Sequence, residues 1–258
     1  MKKTLFLLAL ACISCTSKGN NTSVAQSDVV SLSAIEKSLE QNENNLLQKE
    51  PPAKTKLELT LEKMGMLDVK KEIPDIYVDL MYTRADNFTG KVLYRNLNRA
   101  YLHPDAMAPL KRAQAILKKL RPDLSLKVYD AARPMSVQQI MWNTVAGTSQ
   151  NIYVSNPKNG GGMHNYGVAV DVTLCDAATG DTIGIDMGTH IDYLGKLAQP
   201  RYEEEFFKSG KLSKEAIENR KLLRRVMVEA GYKVLPSEWW HFNLVSRDVA
   251  KKKYKVIP

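Results

Sequence analysis

The most constraining feature of the sequence is a short segment, residues 168–174, in which large apolar residues alternate with other types. A period of two places successive side chains on opposite faces, so the segment predicts a β-strand. Asp171 lies on the second face, and a carboxylate buried there without a partner would cost free energy. The fold must therefore provide Asp171 with a partner. The apolar face of the strand consists of Val168, Val170, Val172 and Leu174.

Other patterns place this strand among helices and further strands. Apolar stripes at helical spacing, with capping residues at their ends, predict three helices. Short alternating runs predict more strands, two of which form a closing pair. Because helices and strands follow one another without a regular βαβ order, we expect an α+β fold with a central antiparallel sheet flanked by helices. The helices are predicted over 104–120, 136–147 and 213–231, and the strands over 76–80, 124–130, 232–235 and 239–245.

The N-terminal quarter has a different composition. Lys2 and Lys3 precede an apolar run over residues 5–13, which is too short to span a bilayer and is typical of a secretory signal peptide. Residues 15–66 are polar and nearly free of aromatic side chains, so we expect a largely disordered tether with a short helix over 33–48. The sequence thus predicts a signal peptide (1–14), a tether (15–66) and a folded domain (67–258).

Cysteines mark the end of the predicted signal peptide. Cys15 follows Ser14 and precedes the polar tether, in the manner of a bacterial lipobox, and Cys12 is the alternative lipidation site. An ordinary cleaved signal with incidental cysteines is the other interpretation. We expect an exported protein of the periplasm or cell envelope, anchored to a membrane by a lipid on Cys15. Cys175 ends the apolar strand, where a small buried side chain is expected.

The charge of the chain does not indicate a nucleic-acid partner. The formal net charge is +9, but the basic residues are spread along the chain and are not interleaved with aromatic residues. A solvated surface accounts for them, and we expect no nucleic-acid binding. No internal segment reaches the roughly 18 apolar residues of a membrane span.

Candidate metal ligands are few, since the chain has only four histidines. His164 precedes Asp171 by seven residues, and His241 follows Glu238 by three. Catalytic zinc sites use three N, O or S ligands beside an open position, and a nearby carboxylate can act as the base. Scattered sets of this kind are more often structural than metal-binding. In regular strands, moreover, neither pair would share a face, so the chain must bend near 165–167 and near 237–238.

Two segments resemble the metal-site motifs of the D-alanyl-D-alanine dipeptidases, a family grouped with zinc D,D-carboxypeptidases and the hedgehog-like fold. They are residues 163–171 (MHNYGVAVD) and 238–241 (EWWH). The wider pattern is His-x-x-Gly-x-Ala-x-Asp followed by Glu-x-x-His. The similarity covers residues 67–248 in the expected order. Further segments that support it are 86–90 (DNFTG), 130–134 (DAARP) and 187–192 (MGTHID).

The resemblance implies a role for each matching residue. One Zn²⁺ would be bound by His164, Asp171 and His241, with Glu238 as general base. Arg133 would polarise the scissile carbonyl; taken alone, it would be a surface or structural arginine. The substrate would be a D-Ala-D-Ala dipeptide or a related short D-amino-acid peptide, whose ammonium group would be held by Tyr82 and Asp192.

The sequence departs from the family beside the first histidine. The dipeptidases usually carry serines there, one of which contacts the substrate carboxylate, whereas this chain has Gly162 and Met163. Backbone N–H groups or another residue would then recognise the carboxylate. His103 and His190 match no ligand position; we interpret the first as a loop residue before a helix and the second as solvent-facing or as a supporting neighbour of the site.

Three functions remain open at this point. The first is a zinc-dependent D-Ala-D-Ala dipeptidase of the cell envelope. The second is a D,D-carboxypeptidase or peptidoglycan endopeptidase on the same scaffold, for which the missing serine leaves room. The third is a non-catalytic, zinc-containing envelope-binding lipoprotein, which would be expected to lack Glu238 or Arg133, although both are present.

Overall fold

The computed structural model describes residues 53–258, where helices and strands follow one another without a repeating order. No helix in this range combines the length and apolarity needed to cross a bilayer. The helices are α1 (Lys56–Lys63), α2 (Val69–Glu72), α3 (Pro104–Leu120), α4 (Met135–Val145), α5 (Glu203–Lys208), α6 (Lys214–Glu229) and α7 (Arg247–Lys253). The strands are β1 (Leu67–Asp68), β2 (Tyr77–Val78), β3 (Tyr101–Leu102), β4 (Leu124–Asp130), β5 (Ala169–Asp176), β6 (Lys233–Leu235) and β7 (Glu238–Asn243).

A five-stranded sheet in the order β2-β4-β5-β7-β6 forms the centre of the fold. Strands β4, β5, β7 and β6 pair antiparallel, whereas the two-residue edge strand β2 pairs parallel with β4. A separate antiparallel pair joins β1 to β3. The α+β class is therefore confirmed, and the sheet is antiparallel apart from that short edge. The strand predicted over 76–80 is shorter than expected because the chain turns into a 3₁₀ helix at Met81.

The central strand β5 is buried on both faces. Val170, Val172 and Leu174 are fully buried within the main core, as the alternation predicts. Helices α3 and α6 pack against each other beside the sheet, and the Tyr232 hydroxyl donates a hydrogen bond to the Ala106 carbonyl of α3 at 2.7 Å. Burial of each large aliphatic side chain contributes about 1.5–3 kcal/mol. The core therefore holds β5 rigidly, and the other face of β5 can carry polar groups in fixed positions.

The compact unit begins earlier than the sequence predicts. It spans Ala53–Pro258, so the predicted tether, which extends to residue 66, is too long at its C-terminal end. Thr55 and Glu58 form a capping box that starts α1. The fully buried Glu58 carboxylate also accepts hydrogen bonds from the backbone N–H groups of Asn98 and Arg99. The rest of the tether, the predicted helix over 33–48 and the signal peptide with Cys12 and Cys15 lie outside the described residues.

Two bends resolve the conflict between spacing and strand periodicity. His164 lies in a 3₁₀ turn, Met163–Tyr166, that ends at Gly167 with a left-handed φ of 67°. Glycine adopts this conformation without a steric penalty. The second bend is a shift in register between β6 and β7, where Val234 pairs with Phe242 but Leu235 pairs with Glu238. Both bends lie where the spacing required them.

Candidate metal centre

Three neighbouring strands bring acidic and histidine side chains into one row across the sheet. In the register of the strands, Asp130 of β4 is opposite Asp171 of β5, which is opposite His241 of β7. The turn before β5 adds His164 from the side. The ligand atoms of His164, Asp171 and His241 all lie within 4.8 Å of one another, and the three residues are buried. The structure therefore brings together the three predicted metal ligands.

Hydrogen bonds fix the orientation of both imidazole rings. Nδ1 of His164 lies 2.7 Å from the Ala131 carbonyl oxygen, and Nε2 of His241 lies 2.8 Å from Oδ1 of Asn243. Since those oxygens accept hydrogen bonds, each ring nitrogen beside them carries the proton. The opposite nitrogens face the centre: they are 3.1 Å apart, and Nδ1 of His241 lies 2.9 Å from Oδ1 of Asp171.

The donor set fits a zinc ion. Two imidazole nitrogens and one carboxylate oxygen are ligands that Zn²⁺ takes in catalytic sites, where a further position stays open. Burial alone would raise the pKa of Asp171, but the two facing histidines hold that pKa below its usual range. The carboxylate is thus ionised, as a metal ligand must be. His164, Asp171 and His241 are the residues that would hold the ion.

Glu238 lies at the start of β7, beside the candidate ligands. Its Oε2 is 3.9 Å from Nδ1 of His241, and only 9% of the residue is exposed. Burial raises the pKa of Glu238 to about 7, while the nearby His241 lowers it. A carboxyl with a pKa near neutrality can both accept and return a proton at physiological pH.

Arg133 is buried and held in a fixed position beside the candidate metal ligands. Its Nε donates to Oδ2 of Asp130 at 2.9 Å, and its Nη1 donates to Oε1 of Gln138 at 2.9 Å. Burial disfavours its charge, but the attraction of Asp130 raises the pKa of Arg133 well above its usual value. The guanidinium lies 3.8 Å from Oδ2 of Asp171 and over the ring of Tyr82. It is a permanent, pre-oriented cation.

Tyr82 and Asp192 form the acidic end of the site. The Tyr82 hydroxyl donates to Oδ1 of Asp192 at 2.9 Å, and the backbone N–H of Phe88 donates to Oδ2 at 2.9 Å. Asp192 is the one non-glycine among residues 53–258 with a positive φ, 72°, a conformation that costs free energy and is common at functional sites. Burial raises the pKa of Asp192 to about 6, against the effect of both hydrogen bonds.

One cleft, with a volume of about 220 Å³, is lined by all seven of these predicted site residues. They are Tyr82, Arg133, His164, Asp171, Asp192, Glu238 and His241. The other two histidines do not line this cleft. His103 caps α3 by accepting from the Asp105 N–H, and the exposed His190 lies against Tyr193.

The residues that hold the site in shape are not identified by the sequence patterns. Asp130 belongs to the motif over 130–134, yet its own role is to anchor Arg133 and to accept a hydrogen bond from the Tyr94 hydroxyl at 2.6 Å. Asn243 follows His241 by two residues on a predicted strand. Because such residues share a face of the strand, the spacing could have identified Asn243 as a neighbour of His241. Gln138 offered no signal, because its role depends on a contact that only the tertiary structure creates.

The sheet and its cleft define a class of protein. A buried His/Asp/His set with a protonatable carboxyl and a fixed cation beside it is the kind of site found in metal-dependent hydrolases. The comparison with known families is more specific. The model of the D-ala-D-ala dipeptidase family matches residues 62–257, and the chain belongs to this family.

Relatives from several bacteria agree with this assignment. The chain is 32% identical over 179 residues to the D-alanyl-D-alanine dipeptidase of Escherichia coli (strain K12), covering 69% of this chain and 84% of the relative. It is 27% identical to that of Synechocystis sp. (strain ATCC 27184 / PCC 6803 / Kazusa) over 58% of this chain and 71% of the relative. It is 24% identical to the dipeptidase of Enterococcus faecalis (strain ATCC 700802 / V583), over 70% of this chain and 92% of the relative.

Proposed function

We propose that the protein hydrolyses D-Ala-D-Ala with a Zn²⁺ ion held by His164, Asp171 and His241. The observation that carries this proposal is the meeting of those three ligands with Glu238 in one small cleft. The three relatives compared above are all named D-alanyl-D-alanine dipeptidases, which supports this dipeptide as the substrate. The presence of both Glu238 and Arg133 supports catalysis over a purely structural metal site.

The proposed chemistry follows from the positions of the side chains. Zinc bound here would lower the pKa of water to about 7 and polarise the substrate carbonyl. Glu238 takes a proton from the attacking water and returns it to the leaving nitrogen. The water oxygen bonds to the carbonyl carbon and the C–N bond breaks, which yields two molecules of D-alanine. Arg133 donates to the carbonyl oxygen as negative charge develops on it.

The arrangement of Arg133 supports this role. Three of its N–H groups are engaged by Asp130 and Gln138, and a guanidinium has five. Two donors therefore remain for a substrate oxygen, in a position that the anchors have already set. Pre-oriented donors of this kind typically contribute about 3–4 kcal/mol to transition-state stabilisation.

Tyr82 and Asp192 support a short substrate with a free amine. The ionised Asp192 carboxylate, with the Tyr82 hydroxyl beside it, suits an ammonium group. The cleft volume of about 220 Å³ is below the ~300–1,000 Å³ of pockets for drug-sized ligands. A dipeptide therefore fits the cleft better than a long peptide chain does.

The test is release of free D-alanine from D-Ala-D-Ala by the zinc-loaded full chain, with metal content measured on the same sample. Glu238→Gln should lower kcat by about 10²- to 10⁴-fold and should retain one zinc per chain. The matched control is Glu218→Gln, an exposed glutamate of α6 that pairs with Lys214. No release above the Glu238→Gln background would refute the dipeptidase proposal.

A second candidate is a D,D-carboxypeptidase or peptidoglycan endopeptidase. The observation that favours it is a second hollow, about 470 Å³, which shares six lining residues with the cleft, among them Ser155, Glu238 and Arg247. A longer substrate could extend into that hollow. Faster cleavage of a pentapeptide stem than of D-Ala-D-Ala would establish this alternative, and D-Ala-D-Lac should be included in the same product profile.

We also propose that the protein acts outside the cytoplasm, tethered by a lipid on Cys15. The basis is the basic and apolar pattern of the first 15 residues, with Cys12 as the alternative site. Metabolic labelling with radioactive palmitate should mark the wild-type chain and Cys12→Ser but not Cys15→Ser. Labelling lost only in Cys12→Ser would move the anchor to Cys12, and no labelling of any chain would refute the anchor.

A further inference from the structure

The cleft is lined by groups of opposite charge. Tyr82 and Asp192 supply its acidic part. Ser155 and Arg247 line the same cleft, and Arg247 is its exposed cation at the start of α7. A free dipeptide carries an ammonium group at one end and a carboxylate at the other. The charges of the cleft thus match those of a dipeptide.

Arg247 has its guanidinium available for an anion. Its Nη2 donates to the Ser155 hydroxyl oxygen at 3.2 Å. Among residues 53–258, no carboxylate lies within 4.0 Å of Arg247, whereas other arginines near the cleft, such as Arg133, are paired with aspartate. A guanidinium next to a hydroxyl matches a carboxylate, which accepts several hydrogen bonds in one plane.

Ser155 fills the space that a side chain at position 162 would need. A Cβ atom built on Gly162 would lie 3.0 Å from Oγ and 3.3 Å from Cβ of Ser155. The φ of Gly162 is −108°, which any residue can adopt. A side chain at position 162 would therefore crowd Ser155, whereas the backbone at this position does not itself require glycine.

Ser155 is also connected to the catalytic side of the cleft. Its carbonyl oxygen accepts a hydrogen bond from Nε2 of Gln138 at 2.8 Å, and Oε1 of the same Gln138 accepts from Arg133 at 2.9 Å. Gln138 is 1% exposed. One buried amide thus sets the distance between the arginine that faces the scissile carbonyl and the loop that carries the Ser155 hydroxyl.

We propose that Ser155 and Arg247 bind the α-carboxylate of the dipeptide substrate, with the Ser155 hydroxyl in the place of a side chain at position 162. The inference rests on the proposed dipeptidase function. Position 162 lacks the serine that the family uses for the substrate carboxylate. The inference assigns that role to Ser155 and Arg247. The hydroxyl and the guanidinium together recognise the charge of the leaving D-alanine.

The first test compares D-Ala-D-Ala with its C-terminal amide, which lacks the negative charge. In the zinc-loaded full chain, Arg247→Gln should raise KM for the acid by about 10- to 100-fold and should lower kcat/KM for the amide much less. Arg247→Lys should recover part of the loss, since it keeps the charge but not the paired donors. The matched control is Arg225→Gln, an exposed arginine of α6 that pairs with Glu229.

Equal losses on acid and amide, or no loss on either, would overturn the carboxylate assignment while leaving the dipeptidase proposal intact. Failure of the wild type to cleave D-Ala-D-Ala would instead overturn the proposed function, and the inference with it. Thermal unfolding of each variant, which should match the wild type within a few degrees, separates recognition from folding.

The second test exchanges the two positions. Gly162→Ser alone should raise KM for the acid, because the new Cβ crowds the Ser155 side chain. The double variant Gly162→Ser/Ser155→Gly returns one hydroxyl to the same space and should recover most of the selectivity for acid over amide. If the double variant had no higher selectivity for acid over amide than Ser155→Gly, the two positions would not share this role.

Discussion

The Tyr82 hydroxyl and the Asp192 carboxylate, 110 residues apart in the chain, form a 2.9 Å hydrogen bond at one end of the cleft. The Phe88 N–H binds the second oxygen of the same carboxylate. Both oxygens are therefore fixed, and the left-handed backbone of Asp192 aims them into the cleft. A carboxylate held in this way would select a ligand both by its positive charge and by the position of that charge.

Substrate affinity should improve as the pH rises through about 6. Burial raises the pKa of Asp192 to about 6, so the carboxyl is neutral below that pH and anionic above it. Only the anion attracts the substrate ammonium group, and KM should fall across this interval. Asp192→Asn should raise KM and remove the step in the KM profile. The control is Asp123→Asn, at an exposed aspartate that pairs with Arg121, and it should retain the step in KM. If Asp192→Asn also retained the step, the titrating group would be a different one.

Asn243 should control metal affinity without binding the metal. Its Oδ1 accepts from Nε2 of His241 and leaves Nδ1 facing the centre. Loss of such a supporting partner typically lowers metal affinity by about 10- to 100-fold. Asn243→Ala should show that loss in a competition titration against a zinc chelator. Asn143→Ala, on the exposed side of α4, is the control, and unchanged affinity in Asn243→Ala would contradict the assignment.

Arg220 should be a major contributor to stability. It is 1% exposed, donates to the carbonyls of Met187 and Leu197, and lies over the Trp239 ring. Burial lowers its pKa to about 10, and Glu203 is its nearby carboxylate. Removing one partner of a buried ion pair costs about 3–5 kcal/mol.

Denaturant unfolding of Arg220→Met should therefore show a loss of that size in the free energy of unfolding. The same change at the exposed Arg225 should stay within about 0.5 kcal/mol of the wild type. A comparable loss at both positions would mean that the aliphatic replacement, and not the lost buried contacts, is responsible.

Cys175 should be inert in the folded protein. It is fully buried and donates to the Ser125 carbonyl oxygen at 3.3 Å. Burial raises its pKa to about 11, so at pH 8 only about one thiol in a thousand is ionised. Peptide mapping after iodoacetamide treatment should find residue 175 unmodified in the native state and fully alkylated in guanidinium chloride. Rapid native labelling would mean that β5 opens far more readily than its burial implies.

Local patterns were sufficient for the long elements and for the expectation that His164, Asp171 and His241 converge. Helix α3 begins at Pro104 and ends at Leu120 as predicted, because its apolar stripe and its first-turn proline act within the segment itself. The bends near Gly167 and Glu238 were also predictable, since the ligands could converge in no other way. The partners of those ligands were not predictable from spacing alone.

Features created by tertiary contacts escaped prediction. The boundary at residue 67 failed because Glu58 resembles a solvated tether residue until the backbone of Asn98 and Arg99 surrounds it. The short edge strand β2 runs parallel to β4. Its direction depends on the path of the chain between the two strands, which no local pattern encodes. Ser155 lies in a loop, and its proximity to Gly162 depends on the buried side chain of Gln138.

The row formed by Asp130, Asp171 and His241 has a consequence for assembly of the sheet. A slip of one residue between β5 and β7 would turn every side chain of one strand to the opposite face. Asp171 and His241 would then no longer meet, and a misaligned chain would forfeit the whole free energy of ion binding. Zinc binding would thus stabilise the native register of β5 and β7, since only the correctly paired chain can retain the ion.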